Sequence, residues 1–231
     1  MFKQWWLKNR LKKFIKISQL NAALAHYQYL LANMDKPISE VNLLAIDIEM
    51  TGLNPKKDQM VSIGVIPIIN AQIQPKLAQY KLIKIQGSVG QSAVIHGVLD
   101  SDLKHANTLS VEEVLLWLFE QCQDKVLVAH HAPLDLQFLQ HALLTTQIHH
   151  PRLFAIDTLT LDKERQLRKH QVLETGSLRL NACRSRYNLP VYNAHNALTD
   201  ALACAELLLA QLSKMGGSDA IKLAELLIKN N

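Results

Sequence analysis

The stretch Leu43-Leu44-Ala45-Ile46-Asp47-Ile48-Glu49-Met50-Thr51-Gly52 decides the reading of this chain. Its first residues form a short apolar run, the pattern of a strand buried in a sheet. A buried strand rarely ends in two carboxylates. The period-two geometry of a strand puts Asp47 and Glu49 on one face of the sheet. Like charges held together repel and resist desolvation, so something must compensate them. A divalent cation is the simplest candidate, and hard oxygen ligands suit magnesium or manganese. The alternative, two surface acids on an exposed edge, fits poorly with the apolar residues that precede them.

Working outward, residues 54–58 (Asn-Pro-Lys-Lys-Asp) read as a turn. Strands are expected at 60–69 and 79–85, and with 43–48 they suggest an antiparallel meander. Gly64 and Pro67 point to irregularity or a sheet edge in the second of them. Ser110 caps a helix over 111–121, with Glu112 and Glu113 in its first turn. A fourth strand is expected at 126–129 and a fifth at 153–156. Pro133 opens a helix through 146, and further helical patterns cover 177–187, 197–212 and 220–228. Gly216-Gly217 breaks the last two. Strands in a run, followed by strands alternating with helices, argue for an α/β fold with a mixed sheet flanked by helices.

Two more carboxylates stand at helix starts. The chain turns from the fourth strand through His130-His131-Ala132-Pro133, and Asp135 lies in the first helical turn. His195-Asn196-Ala197-Leu198-Thr199-Asp200 opens another helix, with a histidine at its entry and an acid one turn in. Taken alone, either acid is explained by the positive end of its helix. Together with Asp47 and Glu49 they suit a pair of metal ions clamping a phosphoryl displacement. A histidine near such a pair can take a proton from water close to neutrality.

The charge is unevenly spread. Lys and Arg number 25 against 20 Asp and Glu, a net charge of +5 with a pI near 9.1. Six of the basic residues, and none of the acids, fall in the first 34 positions. Trp6, Leu7, Leu11, Phe14, Ile15, Leu20, Leu24, Tyr27 and Leu31 recur near helical spacing there, so one basic helix over 3–33 is expected, followed by a linker at Pro37. Three roles suit it: packing with a solvated basic face, non-specific contact with nucleic acid, or docking on a membrane surface or partner. No apolar run approaches the roughly 20 residues of a membrane span, so no membrane insertion is expected. Cys122, Cys183 and Cys204 make neither a disulfide framework nor a zinc pattern, which suits a reducing cytoplasm.

These motifs resemble the DEDDh exonucleases of the DnaQ-like group, which includes the proofreading epsilon subunit of bacterial DNA polymerase III. Asp47-Ile48-Glu49-Met50-Thr51-Gly52 matches the first family motif, Val128 to Asp135 the second, and His195-Asn196-Ala197-Leu198-Thr199-Asp200-Ala201 the third. Ile95-His96-Gly97-Val98 and Ile156-Asp157-Thr158-Leu159 match lesser features. The resemblance spans about residues 41–212. It implies a ribonuclease H-like fold with a central five-stranded mixed sheet. With the N-terminal helical extension read above, which lies outside the resemblance, the expected organisation is a basic extension and linker at 1–40, an exonuclease domain at 41–215 and a C-terminal helix at 216–231.

The resemblance also implies an activity: hydrolysis of phosphodiesters at DNA 3′ ends, releasing nucleoside 5′-monophosphates with two divalent ions, Mg²⁺ or Mn²⁺. Asp47, Glu49, Asp135 and Asp200 would hold the ions and His195 would be the general base. Met50, Thr51, Gly52, Ile95, His96 and His131 would meet the terminal nucleotide. Asp-x-Glu-Met-Thr-Gly also looks like oligoribonuclease, which widens the substrate to RNA. His131 and Leu134 replace the asparagine and phenylalanine frequent in the family. A polymerase partner and roles in replication or repair follow as expectations. A non-catalytic nucleic-acid-binding module is the contrasting reading, disfavoured because all five catalytic positions are filled.

Three further features stand outside these motifs. Adjacent histidines at 130–131 and 149–150 lack partners at zinc-ligand spacing. Lys163, Arg165, Arg168, Lys169, Arg179, Arg184 and Arg186 read as solvated helix faces or as phosphate contacts. Gln211-Leu212-Ser213-Lys214-Met215 faintly resembles a sliding-clamp peptide.

Overall fold

The computed structural model describes residues 2–17, 21–104, 107–146, 148, 153–168, 172–193 and 195–227, with the side chains of 2, 3, 17, 95, 96 and 104 left aside. Its centre is strand β1 (Leu43–Met50), paired antiparallel with β2 (Met60–Ile69) and parallel with β5 (Val126–Ala129). Strand β6 (Ala155–Asp157) extends the parallel side beyond β5. On its other side β2 pairs antiparallel with β3 (Gln72–Ile73) and β4 (Gln79–Leu82). The expected meander of β1, β2 and β4 is therefore present. Among the described residues the mixed sheet has six strands rather than five, the addition being two-residue β3.

Gly64 and Pro67 do not mark an edge, because β2 is paired on both sides. Pro67 sits where β2 changes partner from β4 to β3, and its carbonyl accepts from the Gln74 N–H at 2.9 Å. A residue without an N–H is tolerated at that gap.

The pleat of β1 sorts its side chains between two cores. Leu44, Ile46 and Ile48 pack with helices α4 (Val111–Cys122) and α5 (Ala132–Thr145). Leu43 and Ala45 face the other way, toward α8 (Ala197–Lys214). Asp47 and Glu49 continue that second series, which aims them at the start of α8. The Ser110 hydroxyl accepts from the Glu113 N–H while the Glu113 carboxylate accepts from the Ser110 N–H, a reciprocal cap that sets where α4 begins. Short α3 (Ala93–His96), α6 (Thr158–Leu167), α7 (Leu180–Ser185) and α9 (Leu223–Leu226) complete the helices described. Helix α6 was absent from the sequence expectation, and the 177–187 and 220–228 patterns shrink to α7 and α9.

The N-terminal region is two helices, α1 (Phe2–Ile17) and α2 (Asn21–Asn33), not one. They fold back on each other: the Phe14 and Tyr27 rings lie 5.5 Å apart, and Lys8 Nζ is 2.5 Å from Asp35 Oδ2. In one straight helix 13 residues would separate those rings by about 20 Å. Folding back lets Leu7, Leu11, Tyr27 and Leu30 bury against the α8 side of the sheet. Tyr29 Oη accepts from the Asn42 N–H, His26 Nδ1 meets the Cys122 carbonyl, and Phe14 lies 6.0 Å from Phe154. All three contacts fall just before β1, β5 or β6 begins. The hairpin thus covers the N-terminal ends of the parallel strands. Segment 34–38 is pinned to the C-terminal region by Leu223 N–H to Lys36, Ala224 N–H to Met34 and Ile38 N–H to Ile221.

Candidate active site

The carboxylates gather at the opposite end, beyond the C-terminal ends of β1 and β5. Ligand oxygens of Asp47, Glu49 and Asp200 all lie within 4.8 Å of one another. What allows this approach is Gly64, the β2 partner of Asp47. A Cβ at 64 would lie 2.4 Å from the carbonyl of Ala197 and the nitrogen of Leu198. The first turn of α8 therefore rests on bare backbone, and Asp200 reaches β1. Asn196 accepts from the Thr199 N–H at 3.1 Å and fixes the start of that helix.

Asp135 arrives from the other layer. Its helix, α5, packs on the face of the sheet away from α8, so the carboxyl comes over the end of β1 rather than from beside Glu49. It is 5% exposed and stands outside the close triad of the described residues, yet near enough to act on Asp47.

The electrostatics are those of unneutralised acids. Enclosure, then the charges of Asp135, Glu49 and Asp200, push the Asp47 carboxyl well above the ordinary carboxylate range. Burial and Asp200 raise Glu49 to about 7. Burial raises Asp135, opposed by the backbone N–H groups of Asp135 itself and of Ile48. Asp200 is raised by burial and drawn back by the His195 N–H, by His195 and by Arg184. Glu49 Oε1 is buried without a hydrogen-bond partner. An orphaned carboxylate oxygen facing two other carboxylates is the donor set that a hard divalent cation satisfies.

A cleft of about 1100 Å³ opens beside the cluster, lined by His195 and Asp200 together with Leu53, His130, His131 and Arg179. His195 is exposed, has φ of +70°, and donates its backbone N–H to Asp200 Oδ2 at 2.8 Å. His131 is also exposed and in the left-handed region, with φ of +71°. Its N–H and that of Ala132 donate to Asp157 Oδ1 at 2.9 and 3.2 Å. The same carboxylate accepts from the Leu159 N–H and the Thr160 hydroxyl. Asp157 so joins the starts of α5 and α6 and places both Asp135 and His131. His130 is a structural group: Nε2 meets the Leu178 carbonyl and Nδ1 the Thr158 hydroxyl, both at 2.9 Å. Because a carbonyl only accepts, Nε2 carries the proton.

The remaining expected contacts divide. Met50 packs on the α4–α5 core, and Thr51 exchanges two 2.9 Å hydrogen bonds with Gln59. A Cβ on Gly52 would lie 2.5 Å from the Asp58 carboxylate, which itself accepts from the Asn54 N–H. These bonds fold the Thr51–Gly52 loop so that Leu53 projects into the cleft. Ile95 and His96 fall on α3, and their side chains lie outside the described residues, as do His149 and His150.

The basic run is neither a solvated face nor a set of phosphate ligands throughout. Arg184 is 1% exposed and Arg186 pairs with buried Asp162; only Arg179 of these three lines the cleft. Gln211 and Leu212 are buried, with Gln211 Nε2 donating to the Thr158 carbonyl, so the clamp-like peptide is part of the core. Sequence reasoning missed the packing role of Gly64 and the role of Asp157. A glycine inside an apolar strand and an acid directly ahead of a helix were the available signals.

The RNase_T family model, described as Exonuclease, matches residues 44–208. The PolC-type DNA polymerase III of Thermotoga maritima is 29% identical over 196 residues, 83% of this chain and 13% of that protein. The chain thus spans about an eighth of the length of that relative. Exonuclease I of E. coli in complex with a dT13 oligonucleotide superposes with a TM-score of 0.60 at 15% identity, covering 75% of this chain and 41% of that one. The nuclease domain of 3′hExo, a DEDDh family member bound to rAMP, superposes with a TM-score of 0.62 at 12% identity, covering 77% and 94%.

Proposed function

The chain belongs to the RNase_T exonuclease family, and on that premise we propose that it is a metal-dependent 3′–5′ exonuclease acting on DNA ends. The observation that carries the reading is the convergence of Asp47, Glu49 and Asp200 within 4.8 Å at the side of an open cleft, with Glu49 Oε1 unpartnered. Asp47, Glu49, Asp200 and Asp135 are the residues proposed to hold two divalent ions, Mg²⁺ or Mn²⁺. Such ions, when bound, supply Lewis-acid stabilisation of the attacking and leaving oxygens.

The chain's own residues do the rest. His195 accepts a proton from the attacking water at an imidazole nitrogen. The water oxygen bonds to phosphorus, and the bond from phosphorus to the 3′ oxygen of the preceding nucleotide breaks with its electron pair on that oxygen, which takes a proton from solvent. The terminal nucleoside 5′-monophosphate is released from the shortened strand. Leu53 and the apolar cleft wall take the terminal base, with Met50, Thr51 and Gly52 holding the loop that presents Leu53. His131 and Arg179 face the sugar-phosphate; Ile95 and His96 remain proposed contacts on α3. Residues 41–215 form the proposed catalytic unit, with the described residues of 1–40 and 216–227 packed on it.

DNA is favoured as substrate by the likeness to PolC-type polymerases, and a DNA polymerase is the proposed partner on the same ground. No described helix is long and apolar enough to cross a membrane. Three free, buried cysteines suit the cytoplasmic location proposed. The test is a panel of 5′-labelled single-stranded DNA, mismatched duplex and short RNA. The reading predicts stepwise shortening from the 3′ end, with kcat/KM highest on DNA. A higher kcat/KM on RNA reassigns the substrate; no shortening of any member with Mg²⁺ or Mn²⁺ contradicts the activity.

A further inference from the structure

The loop that carries His195 into the cleft has few backbone bonds of its own. Between Leu189 and Asn196 the described hydrogen bonds run almost wholly to side chains. Arg184 on α7 supplies the first anchor: Nη2 donates to the Pro190 carbonyl at 2.8 Å, just where the loop begins. The same guanidinium donates through Nη1 to the Ala203 carbonyl at 2.6 Å, one turn beyond Asp200 on α8. It also pairs through Nη2 with Glu206 Oε2 at 2.7 Å. Tyr192, in the middle of the loop, donates its hydroxyl to the other Glu206 oxygen at 2.9 Å and lays its ring 4.6 Å from the Arg184 guanidinium carbon.

Arg184 is 1% exposed, which makes it the largest fully buried side chain described. Burying a guanidinium is costly unless its charge is paired and its donors are met. The fold pairs the charge and meets both terminal nitrogens between one short loop and α8, while Nε has no hydrogen-bond partner. Simple joining of α7 to α8 needs none of it, since apolar side chains can pack two helices without a buried charge.

We propose that Arg184, Glu206 and Tyr192 form a clamp that positions His195 against Asp200. The three are positioning residues: none is hydrogen-bonded to the carboxylate cluster, and apart from the pull of the Arg184 charge on Asp200 they act through the loop they hold. Pro190 and Tyr192 fix the loop's path, the 2.8 Å bond from His195 N–H to Asp200 fixes its end, and the imidazole is left facing the cleft. The inference rests on the proposed role of His195 as general base. It adds that the base is held by the ion pair of buried Arg184 with part-buried Glu206 rather than by contacts at the cleft surface.

The test is a double-mutant cycle on Tyr192 and His195, with kcat and KM measured on a short DNA single strand. Tyr192→Phe removes one hydroxyl and keeps the ring over Arg184, so the chain folds. A misplaced base costs turnover and leaves ground-state binding alone, so kcat should fall about tenfold with KM within about twofold. His195→Asn alone should cost about 10²–10⁴ in kcat. Adding Tyr192→Phe to His195→Asn should cost nothing further, because there is no base left to place. Glu206→Gln keeps an acceptor for Tyr192 but leaves the buried Arg184 charge without its carboxylate partner, so kcat should fall at least as far as in Tyr192→Phe; wild-type kcat in Glu206→Gln overturns the clamp.

An unchanged kcat in Tyr192→Phe, with His195→Asn strongly impaired, overturns the clamp and leaves the general base standing. An equal loss from Tyr192→Phe in both backgrounds also overturns it, since a merely structural role would be additive. Wild-type kcat in His195→Asn overturns the general-base role and the clamp with it.

Discussion

Gly64 and Ala197 are in backbone contact: a Cβ on the glycine would lie 2.4 Å from the carbonyl of the alanine. Gly64 is paired across the sheet with Asp47, and Ala197 lies one turn before Asp200. The distance between two of the clustered acids is thus set by the missing side chain of a third residue. Gly64→Ala must push the first turn of α8 off the sheet. Displacements near 1 Å at a reacting centre cost about 10² in rate, and overpacking costs about 1–3 kcal/mol of stability. The variant should therefore lose roughly that much kcat and bind Mn²⁺ more weakly by titration calorimetry. Wild-type kcat would show that α8 is not seated as described.

The carboxylate cluster makes stability depend on pH and metal. Glu49 has its folded-state pKa raised to about 7 from 4.5. A raised acid contributes stability that is full below its unfolded value and lost as pH rises through the folded one. In EDTA, Tm should fall between pH 5 and pH 8 on this account. His26 acts in the opposite sense, because burial lowers it to about 4 and its stabilisation is lost as pH falls from its ordinary 6.5. Comparing wild type with Glu49→Gln isolates the carboxylate: the variant should show a smaller loss of Tm toward pH 8. Saturating Mn²⁺ binds the ionised carboxylates and should raise Tm most at pH 8. Equal pH slopes for the two proteins in EDTA would contradict the assignment.

Asp157 takes four hydrogen bonds at the junction of α5 and α6. Losing one helix cap costs about 0.5–2 kcal/mol, and here one residue caps α6 and also holds the left-handed His131. Asp157→Ala should cost about 2–4 kcal/mol in urea unfolding. Asp157→Asn, which keeps an acceptor oxygen, should cost less than half of that. Equal losses in the two variants would mean that the charge, not the acceptor geometry, is what matters.

The basic face of α1 lies at the end of the sheet opposite the carboxylate cluster. Lys12, Lys13 and Lys16 are exposed, while Lys8 pairs with Asp35 and the Arg10 guanidinium sits 4.6 Å from the Trp6 ring centroid. These residues flank Phe14 at the start of the parallel strands. The acids lie at the other end, about 13 Å along β1 even before side chains are counted. Replacing Lys12, Lys13 and Lys16 together by Gln should leave KM and its salt slope unchanged for an oligonucleotide of about six residues, too short to reach around the sheet. A raised KM on that substrate would restore the hairpin as part of the binding track.

The carboxylates were legible because each sits at a fixed place in a local pattern: strand end, helix start, helix start. Period two sufficed to put Asp47 and Glu49 on one face. The sheet was legible for the same reason, since β1, β2 and β5 are apolar runs between turns. Three things were not. The break of α1 from α2 is imposed by tertiary burial of Leu7, Leu11 and Tyr27, and no proline or glycine marks it. The missing side chain of Gly64 matters only because the backbone of another element rests on it. Arg184 resembled its solvated basic neighbours until its partners on the loop and on α8 were placed around it.

The central claim is that the clustered acids hold metal for hydrolysis at a 3′ end. Its most direct test is digestion of a 5′-labelled DNA single strand by wild type and Asp47→Asn side by side, each in EDTA and in Mg²⁺. The account predicts stepwise 3′ shortening by wild type in Mg²⁺ alone, and a loss of about 10³ or more in the variant. Full activity of Asp47→Asn in Mg²⁺, or of wild type in EDTA, would contradict it.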